Sequence, residues 1–532
     1  MKQHKKMVGI SLLCGVSSMA LLAQEERPNV ILIMADDMGF SDIGCYGSEI
    51  PTPNLDQLAA NGLRFTQFYN TSRSCPTRAC LLTGLYQHQT GVGMMTTEGG
   101  SDFDFGVDGY RGYLNKNCVT IAEVLKSSGY HTYMTGKWHL GSDTFDKRPM
   151  QRGFENYFGC YQGAFSYFDP KGVRGLIDGN DSIRAPKGFY TTDAFTDKAI
   201  EFISQKKDSN PFFLYLAFNA PHWPLQAKEE DIDKFVGKYM AGWDKLRQDR
   251  LKKQIQLGLF DKNTPLSPRD ERVRPWENVS DNQKQLSDYR MAVYAAQIFA
   301  IDYNVGKLVE YLKKTNQFDN TLIMFLSDNG ACAEPYAEFG GGKQSEINDP
   351  SKSGAISYGV GWANLSSTPF RLYKNNATEG GVATPFIVHW PAKIKKHTGE
   401  FIRSKGHIIN IAPTIIEATG ANYPSVYNNN IIQPLEAKSL LSTFLTGKKG
   451  NNDYMFFEHS YNRAVIKGDW KAISRIGTDK WALYNLKKDR TEQNDLSSKY
   501  PKMVEDFAKQ WNNWAARCKV LPKGVRTKNS YD

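Results

Sequence analysis

The fold is decided by residues 29–37, which read NVILIMADD. After Asn29, six apolar residues run without interruption into two aspartates. Such a run predicts a strand that is buried on both faces, as the strands of a parallel sheet are. Further apolar runs occur at 130–135, 212–218 and 321–327, and each follows a segment with helical periodicity. This alternation predicts an α/β fold, with a large, mainly parallel sheet flanked by helices.

The C-terminal part of the chain follows a different pattern. After residue 424, short segments with strand character replace the long helix–strand units, and one helix follows. The strand segments are 454–458, 463–467 and 470–474, and the helix is 501–519. We therefore predict a main catalytic domain at 24–424 and a smaller C-terminal α+β subdomain at 425–532, with a small antiparallel sheet and a terminal helix.

Residues 1–23 have the order of a secretory signal, with lysines first, then an apolar stretch, and a polar segment after it. A membrane anchor is the alternative, but the stretch is shorter than the ~20 residues of a span and is interrupted by Gly15. Lipid attachment at Cys14 is a second alternative, which Leu13 disfavours because a small residue is expected there. We predict cleavage after Ala23 and a periplasmic or secreted protein.

The composition is that of a folded globular protein. The 532 residues are 40% hydrophobic and 23% charged, which excludes a disordered or fibrous chain. A net charge of +10 is modest for this length, so it predicts no nucleic-acid partner and no stable membrane partner, and it favours anionic substrates slightly. The cysteines are scattered and show no paired spacing, so no disulfide framework is predicted.

Polar side chains follow two of the predicted strands. Asp36 and Asp37 end the first apolar run, and Asp328 and Asn329 end the run at 321–327. Buried carboxylates need compensation, and carboxylate and amide oxygens are ligands that Ca²⁺ and Mg²⁺ prefer. Since neither His nor Cys stands beside them in the sequence, an oxygen-binding cation is favoured over zinc. The alternative is a pair of solvated turns.

Residues 72–84, SRSCPTRACLLTG, predict the start of a helix. Pro76 suits the first turn of a helix, where unsatisfied backbone N–H groups attract an anion. Ser74 and Arg78 would then lie close to that anion. The alternative is that Ser74 only caps the helix.

Several motifs share a resemblance. Ser74-x-Pro76-x-Arg78, followed by Leu-Thr-Gly at 82–84, resembles the signature of the sulfatase family within the alkaline-phosphatase superfamily. The resemblance extends over nearly the whole mature chain. It includes GKWHLG at 136–141, APHWP at 220–224, SDNG at 327–330, Lys374 with EGG at 379–381, and LYNL at 483–486.

The resemblance implies an alkaline-phosphatase-like fold and a set of site residues. The first Cys or Ser of the signature is oxidised to formylglycine in this family, and Cys75 is out of register with Pro76 and Arg78, so Ser74 is the residue expected to be converted. The implied cation, usually Ca²⁺, is bound by Asp36, Asp37, oxidised Ser74, Asp328 and Asn329. The residues implied to surround the sulfate are Arg78, Lys137, His139, His222 and Lys374.

The resemblance also implies a mechanism for the hydrolysis of sulfate monoesters. A hydroxyl of the hydrated aldehyde at position 74 attacks sulfur while Asp328 helps to remove its proton. His222, with Lys374 nearby, protonates the leaving oxygen. The sulfo-enzyme hemiacetal then loses a proton, which His139 accepts, and sulfate is expelled as the aldehyde reforms.

A serine-type signature behind a signal sequence resembles exported bacterial sulfatases, whose partner is an anaerobic-type sulfatase-maturating enzyme. This favours sulfated glycans of mucin or glycosaminoglycan type, and terminal galactose 3-sulfate is the first specific hypothesis. Arg73, Glu334 and His459 are predicted to contact the sugar, with residues 358–364 and Glu458 as further pocket walls. The alternatives are a phosphodiesterase or phosphonate monoester hydrolase of the same superfamily, and an inactive glycan-binding relative whose Ser74 is never oxidised.

Overall fold

The computed structural model describes residues 26–96, 103–447, 453–476 and 478–522. The predicted signal segment at 1–23, including Cys14, lies outside the described residues. Within them, the α/β fold with a smaller C-terminal sheet is confirmed. None of the helices in the described ranges combines the length and the apolar character that a membrane span requires.

Eighteen strands occur among the described residues. They are β1 Asn29–Ala35, β2 Leu63–Phe65, β3 Phe68–Tyr69, β4 His131–Lys137, β5 Asn156–Cys160, β6 Leu176–Asp178, β7 Asp181–Ile183, β8 Phe212–Ala217, β9 Thr321–Ser327, β10 Phe386–His389, β11 Phe401–Ile402, β12 Gly406–His407, β13 Val426–Tyr427, β14 Asn430–Ile431, β15 Met455–His459, β16 Asn462–Lys467, β17 Trp470–Ser474 and β18 Ala482–Asn485.

Twelve α-helices occur in the same ranges. They are α1 Pro53–Ala60, α2 Ser74–Thr83, α3 Ile121–Ser127, α4 Thr191–Ser204, α5 Glu229–Ile232, α6 Gly242–Gln256, α7 Asp281–Lys314, α8 Val360–Ser366, α9 Glu379–Val382, α10 Ile411–Thr419, α11 Leu441–Thr446 and α12 Pro501–Arg517.

The large sheet has ten strands in the order β11-β2-β10-β9-β1-β8-β4-β5-β6-β7. Its centre, from β9 to β5, is parallel, as the apolar runs predict. The sheet is mixed rather than parallel throughout, because β10 runs antiparallel to β9, and β6 and β7 run antiparallel to their neighbours. A short turn joins β6 to β7, and so short a connection can only join antiparallel strands.

The register between β1 and β9 places the ends of these strands side by side. Ala35 of β1 pairs with Ser327 of β9, so the residues that follow, Asp36 and Asp328, leave the sheet as neighbours. Both strands are buried on both faces. The carboxylates therefore start from a rigid apolar frame at the carboxyl edge of the sheet, where ligands of α/β proteins bind.

A second sheet, β15 to β18, is antiparallel throughout and carries α12 on one face. Trp514 of α12 stacks on Phe456 of β15 with ring centroids 5.2 Å apart. A fully buried ion cluster connects this sheet to α9: Lys471 Nζ on β17 lies 2.9 Å from Glu379 Oε1 and 2.9 Å from Glu492 Oε1. The small sheet is thus fixed against the segment that carries Lys374.

Candidate active site

The candidate active site is a cleft above the carboxyl edge of the large sheet. Because β1, β9, β8 and β4 are parallel, the residues that follow them meet at this edge. The cavity has a volume of about 1790 Å³. Ser74, His139, His222, Glu334 and Lys374 line it together with residues of the C-terminal subdomain.

Three buried carboxylates lie beneath the cleft. Asp37 turns the chain out of β1 with a positive φ of 66°, and its N–H donates to Asp328 Oδ1 at 3.1 Å. The Asn329 amide donates through Nδ2 to Asp37 Oδ1 at 2.6 Å. Asp36, Asp37 and Asp328 are at most 1% exposed. These contacts bring together Asp36, Asp37, Asp328 and Asn329, the four cation ligands predicted from the two strand ends.

Ser74 is the first residue of α2, and Arg73, not Ser74, occupies the N-cap position. The Ser74 hydroxyl lies 3.3 Å from Asp36 Oδ1 and 3.3 Å from Asn329 Oδ1. The interpretation of Ser74 as a helix cap is therefore wrong, because its hydroxyl points to the carboxylate group rather than to the backbone of α2. Pro76 lies in the first turn of α2, as predicted.

Basic side chains enclose the carboxylates. The Arg78 guanidinium donates through Nη2 to Asp328 Oδ2 at 3.0 Å, and the Lys137 ammonium lies 2.6 Å from Asp36 Oδ2. Lys374 Nζ lies 2.9 Å from Asp37 Oδ2. Each carboxylate thus has at least one basic partner, and these three pairs are buried.

The two predicted histidines reach the cleft from separate loops. His222 lies between two cis prolines, Pro221 and Pro224; its Nδ1 is 2.6 Å from the carbonyl oxygen of Trp223, and its Nε2 is 3.3 Å from Asp37 Oδ2. Since a carbonyl oxygen can only accept, Nδ1 carries a proton and Nε2 is the atom that exchanges one. His139 follows β4 with a positive φ of 56° and is also buried.

The electrostatics distinguish the members of the site. Burial raises the pKa of Asp36 well above its ordinary value, and neighbouring Asp328 adds to that rise. Burial also opposes ionisation of Asp328, but Arg78 and Lys137 hold its pKa below the ordinary range. Burial lowers the pKa of His222 to about 3, so the ring is neutral at pH 7. Burial disfavours a charged Lys374, yet Asp37 outweighs it and raises the pKa of the ammonium.

The residues present fit a hard divalent cation. One ligand atom each from Asp36, Asp37 and His222 lie within 4.8 Å of one another. The oxygens of Asp36 and Asn329 that face Ser74 Oγ extend this group of donors. Buried carboxylates in such numbers suit Ca²⁺ or Mg²⁺. His222 is an unexpected neighbour, since the sequence places it far from the aspartates.

The predicted sugar contacts line the floor and one wall of the cleft. The Arg73 guanidinium forms an ion pair with Glu334 Oε1 and donates to Asn375 Oδ1 at 2.9 Å. Glu334 Oε2 also lies 3.2 Å from Lys374 Nζ. His459, at the end of β15, lines the wall that the C-terminal subdomain contributes.

Some predicted walls are different in the structure. Glu458 lies below the cleft, where its Oε2 is 2.9 Å from His88 Nε2, so it supports the hairpin behind His459. Residues 358–364 include the buried start of α8, and Asn364 is the member that lines the cleft. Asn375 and Asn462 were not predicted; Asn462 donates through Nδ2 to the Asn375 carbonyl at 2.8 Å and links the two domains at the rim. Neither was predictable, because Asn375 lies in a short polar turn and Asn462 begins β16 outside every motif.

Known proteins resemble this chain over most of its length. A family model described as "Sulfatase" matches residues 28–421, and one described as "N-sulphoglucosamine sulphohydrolase, C-terminal" matches residues 372–516. The chain therefore belongs to the sulfatase family, within the alkaline-phosphatase-like superfamily. Members of this family are sulfuric ester hydrolases, so the protein is an enzyme that acts on sulfate esters.

Three relatives illustrate the match. An uncharacterised sulfatase of Schizosaccharomyces pombe is 34% identical, covering 94% of this chain and 95% of the relative. An arylsulfatase of Klebsiella aerogenes is 36% identical over 78% of this chain and 92% of its own. The crystal structure of Ps i-CgsB in complex with k-i-k-neocarrahexaose has a TM-score of 0.68 and 28% identity, covering 92% of this chain and 93% of that one.

Proposed function

We propose that the protein is an exported sulfatase that hydrolyses O-sulfated carbohydrates, with Ser74 oxidised to formylglycine and one divalent cation, Ca²⁺, bound beside it. The observation that carries the proposal is the place of Ser74 Oγ. It lies in the cleft, 3.3 Å from both Asp36 Oδ1 and Asn329 Oδ1, and basic side chains surround Asp36 and the neighbouring carboxylates. Nucleophile, cation ligands and anion-binding groups thus share one point.

The chain's own residues supply the electrostatic part of the reaction. An oxidised, hydrated side chain at position 74 would provide the attacking hydroxyl, and a bound Ca²⁺ would polarise the sulfate. Arg78, Lys137 and Lys374 hold fixed positive charges around that point. Charge develops on the sulfate and leaving oxygens during ester cleavage, so fixed cations stabilise the transition state more than the ground state.

His222 and Lys374 are placed beside the leaving oxygen, and Lys374 is the one that carries a proton to give, because the proton of neutral His222 lies on Nδ1. His222 Nε2 and Lys374 Nζ meet at the same atom, Asp37 Oδ2, at 3.3 and 2.9 Å. Lys374 keeps its proton because Asp37 raises the pKa of the ammonium despite burial. His139 is neutral, since burial and then Lys137 lower its pKa well below the ordinary value, and a neutral ring accepts a proton.

The width of the cleft supports a carbohydrate substrate. A cavity of about 1790 Å³ is larger than the 300–1,000 Å³ common for small-molecule pockets, so it has room for several sugars. The bound k-i-k-neocarrahexaose of Ps i-CgsB is such a substrate-sized glycan in a related protein. Arg73, Glu334 and His459 offer hydrogen bonds to sugar hydroxyls, and terminal galactose 3-sulfate is the first sugar to test.

Export and maturation complete the proposal. The signal-like order of residues 1–23 supports a periplasmic or secreted enzyme. Serine at position 74, rather than cysteine, supports an anaerobic-type sulfatase-maturating enzyme as the partner that oxidises the chain.

The test is to co-produce the protein with a serine-type maturase and to assay sulfated sugars that differ in sulfate position. Peptide mass spectrometry at position 74 reports the aldehyde independently of activity. 4-Nitrophenyl phosphate and a phosphonate monoester form the comparison arm. We expect at least one sulfated sugar to exceed both phosphorus esters in kcat/KM. Faster turnover of a phosphorus ester than of every sulfated sugar would reject the proposal.

A further inference from the structure

The cleft carries more positive charge than the reaction centre accounts for. Among the described residues that line it, eight are Lys or Arg and four are Asp or Glu. The part of this surplus that no carboxylate of the protein neutralises either serves anionic groups of a ligand or is dispersed by solvent. The arrangement of the individual cations distinguishes these two outcomes.

Most of the lining cations are neutralised by a carboxylate of the protein. Arg73 pairs with Glu334, and Lys374 pairs with Asp37. Arg269 Nη1 lies 2.8 Å from Asp244 Oδ1, and Arg272 lies 2.7 Å from Asp270 Oδ2. These side chains have little charge left for a ligand.

Arg174 is different. It is half-buried in the cleft wall, where its Nη1 donates to the carbonyl oxygen of Ser353 at 2.7 Å. No carboxylate of the described residues is within ion-pair distance of its guanidinium. Arg475 also lacks a carboxylate partner among these residues, but it is exposed and its side chain makes no described hydrogen bond. Arg174 is thus a lining cation that is both held in place and not neutralised.

We infer that Arg174 binds a second anionic group of the substrate, a sulfate or a carboxylate on a sugar other than the one that carries the scissile sulfate. A guanidinium has five N–H donors in a planar fork, and the Ser353 carbonyl occupies only one side of it. The free side suits the paired oxygens of a sulfate or carboxylate. Lys171, on the same turn, is paired with Asp169 Oδ2 at 2.8 Å, so Arg174 is the cation of this turn that is left for a ligand.

This inference rests on the proposed function and narrows it. The substrate class becomes a glycan with at least two anionic groups, such as a polysulfated chain or a chain that contains uronic acids. A neutral chain with one sulfate at its end would use the reaction centre alone. Kinetics can separate these two substrate classes. Because the chemical step is the same in both, a difference in kcat/KM reflects the second anionic group.

The experiment uses the matured full-length enzyme and three tetrasaccharides that carry the same terminal sulfated sugar. The first is otherwise neutral, the second has one additional sulfate on an inner sugar, and the third has one inner uronic acid. We expect the second or third to have a kcat/KM about tenfold above the first, the effect of one charge-assisted hydrogen bond. Which of the two gains identifies the anion, and the gain should shrink as ionic strength rises.

Arg174→Gln should remove this gain and leave the neutral tetrasaccharide unchanged. Arg184→Gln is the matched control, because Arg184 is exposed and does not line the cleft, so it removes the same charge from elsewhere on the surface. Equal kcat/KM on all three glycans in the wild type, or a gain that survives in Arg174→Gln, overturns the inference. If protein that carries the aldehyde hydrolyses none of the sulfate esters, the proposed function is overturned, and this inference with it.

Discussion

The imidazole of His139 packs directly on the backbone of Gly163: a Cβ atom added to Gly163 would lie 2.4 Å from His139 Cε1. The glycine does not have a positive φ, so the close approach of the ring, rather than backbone conformation, requires its lack of a side chain. The position of one predicted catalytic side chain thus depends on a residue that carries no chemistry.

Gly163→Ala should therefore displace His139 and lower kcat on a sulfate ester by about 10- to 100-fold, since small misplacements of catalytic groups are costly. Gly354→Ala is the control, because a Cβ at Gly354 has no atom within 4 Å. Steady-state kinetics and a thermal melt measure the two effects. Wild-type kcat in the Gly163 variant would show that His139 does not take part in the rate-limiting chemistry.

Ser74 and Cys75 are adjacent, and only one of them faces the carboxylates. Ser74→Ala should abolish activity in every host, because no aldehyde can form, while the free energy of unfolding changes little. Cys75→Ala should keep most activity, since its Sγ packs near Met95 and Thr96 instead. Ser74→Cys should regain activity in a host whose maturase accepts cysteine. Loss of activity in Cys75→Ala with the aldehyde intact at position 74 would contradict this assignment.

Cation removal should separate binding from catalysis. Exhaustive chelation should abolish activity, and Ca²⁺ or Mg²⁺ should restore it. Without the cation, only the basic residues compensate the buried carboxylates of Asp36 and its neighbours. Asp36→Asn should lower the metal content measured by plasma mass spectrometry as well as the activity. A variant that retains one equivalent of metal after dialysis would exclude Asp36 as a ligand.

Arg73 and Glu334 should behave as one unit. Each alanine variant should reduce kcat/KM for the preferred glycan far more than for 4-nitrophenyl sulfate, and the double variant should lose less than the sum of the two. Glu334→Ala should affect the aryl ester more than Arg73→Ala does, because only Glu334 contacts Lys374. A double-mutant cycle on both substrates measures this. Strict additivity would show that the pair does not act together on the sugar.

The Lys471 ammonium should be essential for stability. Lys471→Ala leaves buried Glu379 paired with Arg490 alone and buried Glu492 paired with Arg371 alone, which should cost about 3 kcal/mol in the free energy of unfolding, the lower end for a broken buried ion pair. Lys480→Ala, in the exposed loop between β17 and β18, should change it by less than about 0.5 kcal/mol. Urea unfolding monitored by tryptophan fluorescence compares them. Similar midpoints for both variants would be inconsistent with the ion cluster fastening the small sheet.

The buried centre of the fold was predictable because its strands are apolar on both faces. The run at 321–327 coincides with β9, and the run at 212–218 exceeds β8 by one residue. The edge was not predictable: β7, at Asp181–Ile183, is exposed throughout, so its sequence has no alternation. The start of helix α7 at Asp281 was not predictable either, because only Ser287 among its first seven residues is buried and these residues lack apolar periodicity.

The contacts within the active site were also predictable only in part. Asp36 and Asp328 could be paired from sequence because they end adjacent parallel strands. The contact of His222 with Asp37 and the ion pair between Arg73 and Glu334 could not, since loops of unspecified path carry His222 and Glu334. Arg174 lies outside every motif, and it is distinguished by three structural features together: its place in the cleft wall, its hydrogen bond to the Ser353 carbonyl, and its missing carboxylate partner in the described structure.

The separation of Ser74 and Asn329 along the chain determines how early in protein synthesis the site can form. Their side chains meet at 3.3 Å, yet 255 positions separate them. At roughly 5–20 residues per second, the ribosome needs roughly 10 to 50 s to reach Asn329 after it has added Ser74. During that interval β9 does not exist, and the pocket that buries Ser74 cannot close. A modifying enzyme of the kind proposed above would therefore have at least this interval, which the order of the segments along the chain sets, and moving the segment of β9 closer to Ser74 would shorten it.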